Sequence, residues 1–393
     1  MTMKLSPIHP FPARMAPEIV FTELQGLPLS RVVLDPMSGS GTVLRAAAEL
    51  GHRAIGFDLD PLAVLMSRVW TAPFKDIDSL EGTAKNVVHE AKALRDEYLP
   101  WIDDCEETQA YIKFWFCQKQ IKALRRLSFV LNGMSGQMAD AMKVALSRTI
   151  ITKERGASIA RDTSHSRPHR VFFDNDYDVY SGFLQSACRL SARLAPEKLV
   201  GSAMVRRGDA RKLARLAADS VDVVITSPPY LNAIDYLRGH RLSLVWLGYG
   251  VPKIRALRSS TIGTESSASS KMPDSLLDNL VRGAGNLDRL PTRELGMVHR
   301  YAQDVYGFLQ ELSRIVKTDG RVLLVVGDSC LKGVSISNAG INIAAAEMVG
   351  LKKTMRSERS LPVSRRYLPT PDVGKSGTLA SRMRTETLLS FSA

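Results

Sequence analysis

The chain has 393 residues, of which 45% are hydrophobic and 24% are charged. These proportions are ordinary for a globular protein and leave room for one large α/β domain with an inserted or appended module. The 53 Lys and Arg residues outnumber the 40 Asp and Glu residues, which gives a formal net charge of +13. A surplus of this size favours a nucleic acid as partner, because each cation placed on a phosphate releases a condensed counterion.

Several features argue against secretion, membrane insertion and metal binding. Residues 1–12 contain no apolar segment of signal-peptide type, and the longest apolar run, residues 321–327, is far too short to span a bilayer. We therefore expect a cytoplasmic protein without a membrane partner. Neither a disulfide framework nor a metal site is expected, because the four cysteines lack paired spacing: Cys105, Cys117, Cys188 and Cys330.

The first predicted elements form a strand, a glycine-rich loop and a helix. Arg31–Pro36 has the apolar character of a buried strand and runs into Met37–Gly41, which contains two glycines. A helix is predicted over Thr42–Leu50. Gly51 should end this helix, since glycine adopts the left-handed conformation at low cost.

A second strand and helix follow at short spacing. The strand is predicted over Arg53–Asp58. Asp60 and Pro61 are typical of the N-cap and first position of a helix, here extending to about Trp70. Strand, glycine loop, helix, strand and helix in this order predict the start of a doubly wound parallel sheet.

The alternation then stops over residues 71–204, which are predicted to be a large, mainly helical insertion. It contains an amphipathic segment, Tyr111–Leu131, and a basic, serine-rich segment, Lys143–Arg170. The sheet resumes in the elements predicted next: strand Val221–Ser227, helix Tyr236–Tyr249, helix Val298–Lys317, strand Arg321–Gly327, helix Ile341–Leu351 and a closing strand at Glu386–Phe391.

These elements divide the chain into three parts. Residues 1–70 are the first part of an α/β core, 71–204 the insertion, and 205–393 the second part of the core. The stretch 251–297 is predicted to be a long loop within that second part, because residues 251–291 are rich in Ser, Gly and charge.

A glycine loop at the end of the first strand is the first candidate binding site. It comprises Asp35–Thr42. In an open α/β sheet, ligands bind beyond the carboxyl ends of the strands, where glycine lets the backbone approach closely. Asp58 ends the second strand and is placed to accept both ribose hydroxyls of an adenosine ligand. Its alternative role is to cap a turn, although Asp60 is better suited to that.

The sequence Thr226–Tyr230, here called the proline turn, is the decisive element. Pro228 and Pro229 cannot donate to a β-ladder, so the chain must leave the sheet rigidly after its strand. This turn would present the Ser227 hydroxyl and the Pro228 carbonyl as acceptors for an amino group. Tyr230 would supply a flat face for a base removed from its stack.

The chain resembles the amino-methyltransferase family of DNA methylases, which modify N4 of cytosine or N6 of adenine. The glycine loop looks like its cofactor-binding motif and the proline turn like its catalytic motif. His9–Met15 is similar to the segment over the methionine end of the cofactor, and Val205–Ala210 to the motif whose acid reaches the adenine. The resemblance covers about two thirds of the chain.

The resemblance implies a doubly wound, Rossmann-like methyltransferase fold with S-adenosylmethionine (SAM) as cofactor. It assigns catalysis to Ser227, Pro228, Pro229 and Tyr230. Together with Asp58 at the end of the second strand, it gives ten expected cofactor-binding residues: Phe11, Pro12, Asp35, Pro36, Ser38, Gly39, Gly41, Thr42, Asp58 and Asp209.

The resemblance favours cytosine N4 as the target, because Ser before Pro-Pro-Tyr goes mostly with the cytosine branch. Adenine N6 is the alternative, and a base amino group in RNA is a third. A non-catalytic SAM-binding or DNA-binding protein is disfavoured by the intact proline turn. Double-stranded DNA is the expected partner. Whether the chain is solitary or paired with a cognate restriction endonuclease stays open.

Target recognition is expected outside the core. Arg161, Arg167 and Arg170 are the predicted DNA contacts, because their segment shows no obvious core face. Residues 113–126 mix basic and aromatic side chains and are a second candidate, although Phe114 and Phe116 are equally suited to the core face of an amphipathic helix. The loop at 251–291 is the third candidate.

Overall fold

A computed structural model describes residues 5–74, 77, 79–95, 97–151, 156–161, 168–171, 173–194, 199–231, 235–263, 272–361 and 385–393. The strands are β1 (Val32–Asp35), β2 (Arg53–Asp58), β3 (Ala160–Arg161), β4 (His169–Arg170), β5 (Ser202–Arg207), β6 (Val221–Thr226), β7 (Val316–Val326), β8 (Ser329–Leu331), β9 (Val334–Ile336), β10 (Lys352–Ser360) and β11 (Thr385–Ser392).

The helices flank this strand framework. They are α1 (Pro17–Leu24), α2 (Thr42–Glu49), α3 (Pro61–Thr71), α4 (Ser79–Ala93), α5 (Pro100–Asp103), α6 (Glu106–Trp115), α7 (Gln118–Gly133), α8 (Gly136–Ile150), α9 (Val179–Leu194), α10 (Tyr236–Leu244), α11 (Val251–Ser259), α12 (Asp274–Val281), α13 (Thr292–Ile315) and α14 (Asn338–Met348). No helix in the described ranges is long and apolar enough to cross a membrane.

The central sheet has seven strands in the order β10-β11-β7-β6-β1-β2-β5. Strands β5, β2, β1, β6 and β7 run parallel, and β11 lies antiparallel between β7 and β10. The strand order reverses beside β1, because β2 pairs with one of its edges and β6 with the other. A ligand crevice is expected at such a switch point. The predicted α/β fold, doubly wound and Rossmann-like with a large helical insertion, is confirmed.

One carboxylate fastens the amino ends of the three central strands. Asp222 on β6 accepts hydrogen bonds from the Val32 backbone N–H, the Arg31 guanidinium and the Lys317 ammonium. Burial opposes the charged form, but these three donors outweigh it and hold the pKa of Asp222 below its usual range. The carboxyl ends at the opposite edge are thereby placed in register.

The inserted helices share one hydrophobic core with parts of the second half of the chain. Buried side chains of α4 and α6–α9 pack with Ile8 of the N-terminal segment and with Trp246 after α10. The Trp246 ring meets Phe116 edge-on, with centroids 5.1 Å apart. The insertion is therefore continuous with the structure around the crevice.

The prediction of a long loop at 251–297 is wrong for the residues described. Val251, Ile254 and Leu257 form the buried face of α11, and Leu277 and Leu280 that of α12. Helix α13 begins at position 292, six residues earlier than expected. The serine and arginine residues between the apolar positions hid this helical spacing. Residues 264–271 lie outside the described ranges.

The local backbone refines one further prediction and confirms two others. The amphipathic segment 111–131 is two helices, because Phe116 and Cys117 are extended between α6 and α7. Asp60 is the N-cap of α3 and accepts from Leu62 N–H, with Pro61 following, as predicted. Gly51 has φ of +84°, as expected for its place after α2.

Candidate active site

The glycine loop, Asp35–Thr42, is held against the second strand. Ser38 N–H donates to Phe57 O at 2.8 Å, and Gly41 N–H closes the turn on Ser38 O at 2.8 Å. Gly39 and Gly41 have φ of +49° and +91°, a region that strains other residues. A Cβ on Gly41 would lie 3.0 Å from Cα of Ser67 in α3. Glycine is thus required here by both conformation and contact.

Asp58 faces this loop from the end of β2. Its Oδ2 accepts the Gly39 N–H at 2.8 Å, and its Oδ1 accepts the Asp60 N–H at 2.9 Å. The Asp60 side chain turns away to cap α3. Each oxygen of Asp58 keeps acceptor capacity, because a carboxylate has about four lone-pair sites in total.

Two carboxyls of the site have strongly shifted acidity. Burial raises the pKa of Asp35 to about 7, against the opposing hydrogen bonds from Thr226 and Met37. Burial and the neighbouring charge of Asp60 raise the pKa of Asp58 to about 7 as well. Both groups therefore titrate near neutrality, where a ligand that prefers the charged form can shift them.

The loop offers polar groups suited to a ligand. Ser38 Oγ and Ser40 Oγ are buried, and neither has a hydrogen-bond partner within the described part of the chain. Buried hydroxyls without partners are costly. Together with the two glycines and the Asp58 carboxylate, they suit a polar ligand such as the ribose and amino-acid portions of SAM.

The N-terminal segment covers the glycine loop. A Cβ on Gly39 would lie 3.0 Å from Cε1 of Phe11, so the phenyl ring rests directly on that glycine. The ring also stacks on Tyr236 of α10, with centroids 5.0 Å apart and planes 15° apart. Pro12 follows and is buried. Phe11 thus lies where the sequence predicts a cover over the cofactor.

Helix α8 of the insertion holds this cover in place. His9 Nε2 lies 2.8 Å from Ser147 Oγ, and the Arg148 guanidinium donates to the Ile8 carbonyl. Burial, with the charges of two nearby arginines, lowers the pKa of Arg148 to about 10. The insertion is therefore connected to the glycine loop as well as to α10.

The proline turn adjoins the glycine loop through one hydrogen bond. Thr226 Oγ1 donates to Asp35 Oδ1 at 2.7 Å. The next side chain, Ser227, donates its hydroxyl hydrogen to the Val325 carbonyl of β7 at 3.0 Å. With that hydrogen engaged, the remaining lone pairs of Ser227 Oγ can only accept. The predicted acceptor is therefore oriented by a carbonyl that the sequence did not identify.

Tyr230 is half-buried beside this serine. Its hydroxyl lies 3.3 Å from Ser227 Oγ. Burial raises the pKa of Tyr230 to about 12, so the phenol stays neutral over the working pH range. Ser329 Oγ donates to Leu231 O just beyond the turn. The turn is thus braced by β7 at one end and by β8 at the other.

Asp209, the third predicted cofactor acid, has a different environment. The Arg211 guanidinium donates to both of its oxygens, and also to Asp304 Oδ1 at 2.5 Å and to the Ser260 carbonyl. This pairing raises the pKa of Arg211 despite burial. Arg211 lies two residues after Asp209, but its second partner, Asp304, could not be identified from the sequence because α13 is far away along the chain.

A buried pair links α10 to the end of the second strand. His240 Nδ1 lies 2.5 Å from Asp60 Oδ2, and the His240 ring is tilted against Phe11 at 5.6 Å. Asp60 therefore caps α3 and anchors α10 together. No sequence motif signals this contact, since His240 belongs to an otherwise ordinary amphipathic helix.

Two of the three predicted DNA-contact arginines fall in one small hairpin. Arg161 on β3 pairs across from His169, and Arg170 on β4 across from Ala160; both arginines are exposed. Arg167 lies outside the described residues. The expectation that this segment lacks a core face is wrong, since residues 157–160 are buried. These buried residues hold the hairpin against the insertion.

No group of three or more His, Cys, Asp or Glu side chains suited to a metal ion occurs within the described ranges. The four cysteines are free thiols.

Similar structures are methyltransferases, with low structural agreement. A TehB-like SAM-dependent methyltransferase from Corynebacterium glutamicum is 9% identical, with a TM-score of 0.31; the match covers 96% of this chain and 86% of that one. The rRNA methyltransferase aviRa from Streptomyces viridochromogenes is 13% identical, with a TM-score of 0.31 and coverages of 98% and 87%. At these scores the likeness supports no conclusion about function.

Similar sequences are more informative, although no protein-family model matches the chain. Type II methyltransferase M.MvaI of Kocuria varians is 23% identical over 97% of this chain and 89% of its own length. Type II methyltransferase M.AvaI of Nostoc sp. is 22% identical over 81% of this chain and 72% of its own length. Type II methyltransferase M.BsoBI of Geobacillus stearothermophilus is 23% identical over 63% of this chain and 53% of its own length. The chain is thus similar to type II methyltransferases along almost its whole length.

Proposed function

We propose that this protein is a SAM-dependent DNA methyltransferase that methylates the exocyclic N4 amino group of cytosine. The observation that carries the proposal is the proline turn. Ser227 gives its hydrogen to Val325 O and so presents lone pairs, while Thr226 ties the turn to Asp35 of the glycine loop. A methyl acceptor and a methyl donor would therefore be held by two directly bonded segments.

The glycine loop and its neighbours would hold the cofactor. SAM supplies a methyl group that is already electrophilic, because its sulfur carries a positive charge. Asp58 would accept the ribose hydroxyls, and Ser38 would hydrogen-bond a ligand oxygen or nitrogen. The remaining proposed cofactor contacts are Phe11, Pro12, Asp35, Pro36, Gly39, Gly41, Thr42 and Asp209.

The residues of the turn would act on the amino group. Its nitrogen is a weak nucleophile, since its lone pair is delocalised into the base. Ser227 Oγ and the Pro228 carbonyl would each accept one amino hydrogen, which favours a tetrahedral nitrogen with a lone pair directed at the methyl group. Pro229 would fix the turn, and Tyr230 would stack on the base once it has left the duplex.

The substrate assignment rests on the similarity to type II methyltransferases and on the net charge of +13. Arg161, Arg167 and Arg170 are the proposed phosphate contacts. The preference for cytosine over adenine rests on Ser227 alone, through the family resemblance. Adenine N6 in DNA is the alternative target at the same turn, and a cognate restriction endonuclease is a proposed partner.

Mass spectrometry of nucleosides tests the proposal. DNA from cells that express the protein should contain N4-methylcytosine, and DNA from cells that express Ser227→Ala should contain far less. N6-methyladenine in its place would assign the alternative target. A modified base in RNA alone, or no modified base, would overturn the DNA proposal.

A further inference from the structure

An exposed aromatic cluster stands out on the insertion. Among the described residues, Phe173 is the most exposed large hydrophobic side chain, with 87% of its surface accessible, and Phe114 is 51% exposed. Arg170 lies between them, its guanidinium 5.6 Å from the Phe114 centroid and 5.5 Å from that of Phe173. We call Phe114, Arg170 and Phe173 the aromatic–arginine cluster.

The cluster is mounted on a fixed backbone. Ile159 N–H donates to Trp115 O at 3.0 Å, which joins the strand before β4 to the end of α6. Below it, the buried Asn175 side chain donates to Gly156 O at 2.8 Å. The buried Gln120 in turn donates to Asn175 O at 2.9 Å. Exposure of the phenyl rings is therefore a property of a well-anchored surface.

The same helix reaches toward the crevice. Trp115 is flanked by Phe114, whose ring meets it edge-on at 4.9 Å, and one turn earlier Tyr111 lies 4.6 Å under the Arg241 guanidinium of α10. Helix α10 carries Tyr236, which stacks on Phe11 over the glycine loop. Helices α6 and α10, with these side-chain contacts at their ends, thus connect the cluster with the proposed cofactor site.

We propose that the aromatic–arginine cluster contacts DNA, the phenyl rings stacking on bases unstacked at the target and Arg170 pairing with a phosphate. This proposal rests on the proposed function. An enzyme that removes a base from the duplex leaves neighbouring bases with open faces, and an aromatic ring stacks on any base. Exposed rings on a rigid support offer such faces.

Charge selects a nucleic acid as the occupant. Lys113 precedes Phe114 and is exposed, and Arg161 is exposed on the strand paired with β4. Three exposed acids, Asp174, Asp176 and Asp178, follow Phe173. Two of them are partly committed, because Asp174 Oδ1 accepts the Asn175 N–H and Asp178 Oδ2 accepts the Ser181 hydroxyl hydrogen. Aromatic rings with a cationic guanidinium between them match the base faces and phosphates of a nucleic acid strand.

The test uses labelled 30-base-pair duplexes of random sequence, fully paired or with one unpaired base, and fluorescence anisotropy. Phe173→Ala should weaken binding of the duplex with the unpaired base by roughly tenfold or more, and Phe173→Trp should keep it, because stacking needs only a ring. Phe129→Ala is the matched control, since Phe129 is an exposed phenylalanine on α7 of the same insertion. It should bind like the wild type.

Further measurements distinguish a defect in this surface from misfolding and from loss of the proposed function. SAM affinity and the unfolding temperature should be unchanged in all three variants. Arg170→Gln should lower the slope of log affinity against log salt by about 1. If Phe173→Ala and Phe114→Ala bound DNA normally and methylated it like the wild type, the cluster would not be a DNA-binding surface. The proposed methyltransferase function would still hold. If the same variants lost self-association in sedimentation while their DNA binding stayed intact, the cluster would be a protein–protein interface. That result would also overturn the proposal. A wild-type protein that binds no DNA would overturn both.

Discussion

The two halves of the crevice are built from different chemistry. On the proposed cofactor side, at the ends of β1 and β2, Asp35 and Asp58 are ionisable groups with pKa values raised to about 7. On the proposed catalytic side, after β6, Ser227 and Tyr230 are neutral groups fixed by hydrogen bonds. Under the proposed function, charge would serve to bind the ligand, whereas positioning would serve the chemistry.

The largest expected effect is on the catalytic side. Ser227→Ala removes one preorganised acceptor and should lower kcat on the order of a hundredfold or more. Its SAM affinity should equal that of the wild type, because the hydroxyl bonds to β7 and not to the glycine loop. Steady-state kinetics and calorimetry measure the two quantities. A large loss of SAM affinity in Ser227→Ala would show that the proposed catalytic side also binds the cofactor.

The next effect is on the cofactor side. Asp58→Ala should weaken SAM binding by roughly 1–3 kcal/mol, the usual cost of losing charge-assisted hydrogen bonds. Part of this loss comes from the Gly39 N–H, which Asp58 also accepts. Asp60→Ala is a control that removes a cap and the His240 contact instead. Unchanged SAM affinity in Asp58→Ala, measured by calorimetry, would remove Asp58 from the site.

The pH dependence should separate the halves further. In the proposed site SAM would bind the ionised form of Asp58, so its affinity should fall below about pH 7, by at most about tenfold per pH unit for each proton taken up. Since folding raises the pKa of Asp35 and Asp58, their stabilising contribution is complete below pH 3.8 and is lost as the pH rises through about 7.

Thermal unfolding with and without SAM tests both expected pH dependences, that of SAM affinity and that of the stability of the ligand-free protein. The increase in Tm caused by SAM should be larger at pH 8 than at pH 6, while between these pH values the ligand-free protein loses only the part of the carboxyl contribution that remains at pH 6. Asp58→Asn should reduce the pH dependence, because an amide does not titrate. An increase in Tm that is equal at both pH values would show that these carboxyls are already ionised without ligand.

The smallest effect concerns Tyr230. Tyr230→Phe removes the hydroxyl 3.3 Å from Ser227 Oγ but keeps the ring, so turnover should fall only a few-fold. Tyr230→Ala removes the stacking face and should lose most of the activity. Turnover on DNA distinguishes the two. If Tyr230→Phe were as inactive as Tyr230→Ala, the hydroxyl would have a role in orienting Ser227 that stacking does not explain.

Prediction from sequence succeeded where the chemistry is local. Three features depend only on residues that are adjacent in the sequence and could therefore be predicted from it: the glycine loop, the Asp60 cap and the Thr226–Tyr230 turn. The Val325 carbonyl that orients Ser227 and the pairing of Arg211 with Asp304 depend on tertiary contacts. Helices α11 and α12 were missed because polar residues diluted their apolar spacing.

The most direct test compares single-turnover methyl transfer at limiting and at saturating SAM in two variants, with labelled methyl followed into DNA. Asp58→Asn should be slow at limiting SAM and recover most of the wild-type rate at saturation, because only binding is impaired. Ser227→Ala should stay slow at both concentrations. Recovery of Ser227→Ala at saturating SAM, or failure of Asp58→Asn to recover, would contradict the division of the crevice into a binding half and a catalytic half.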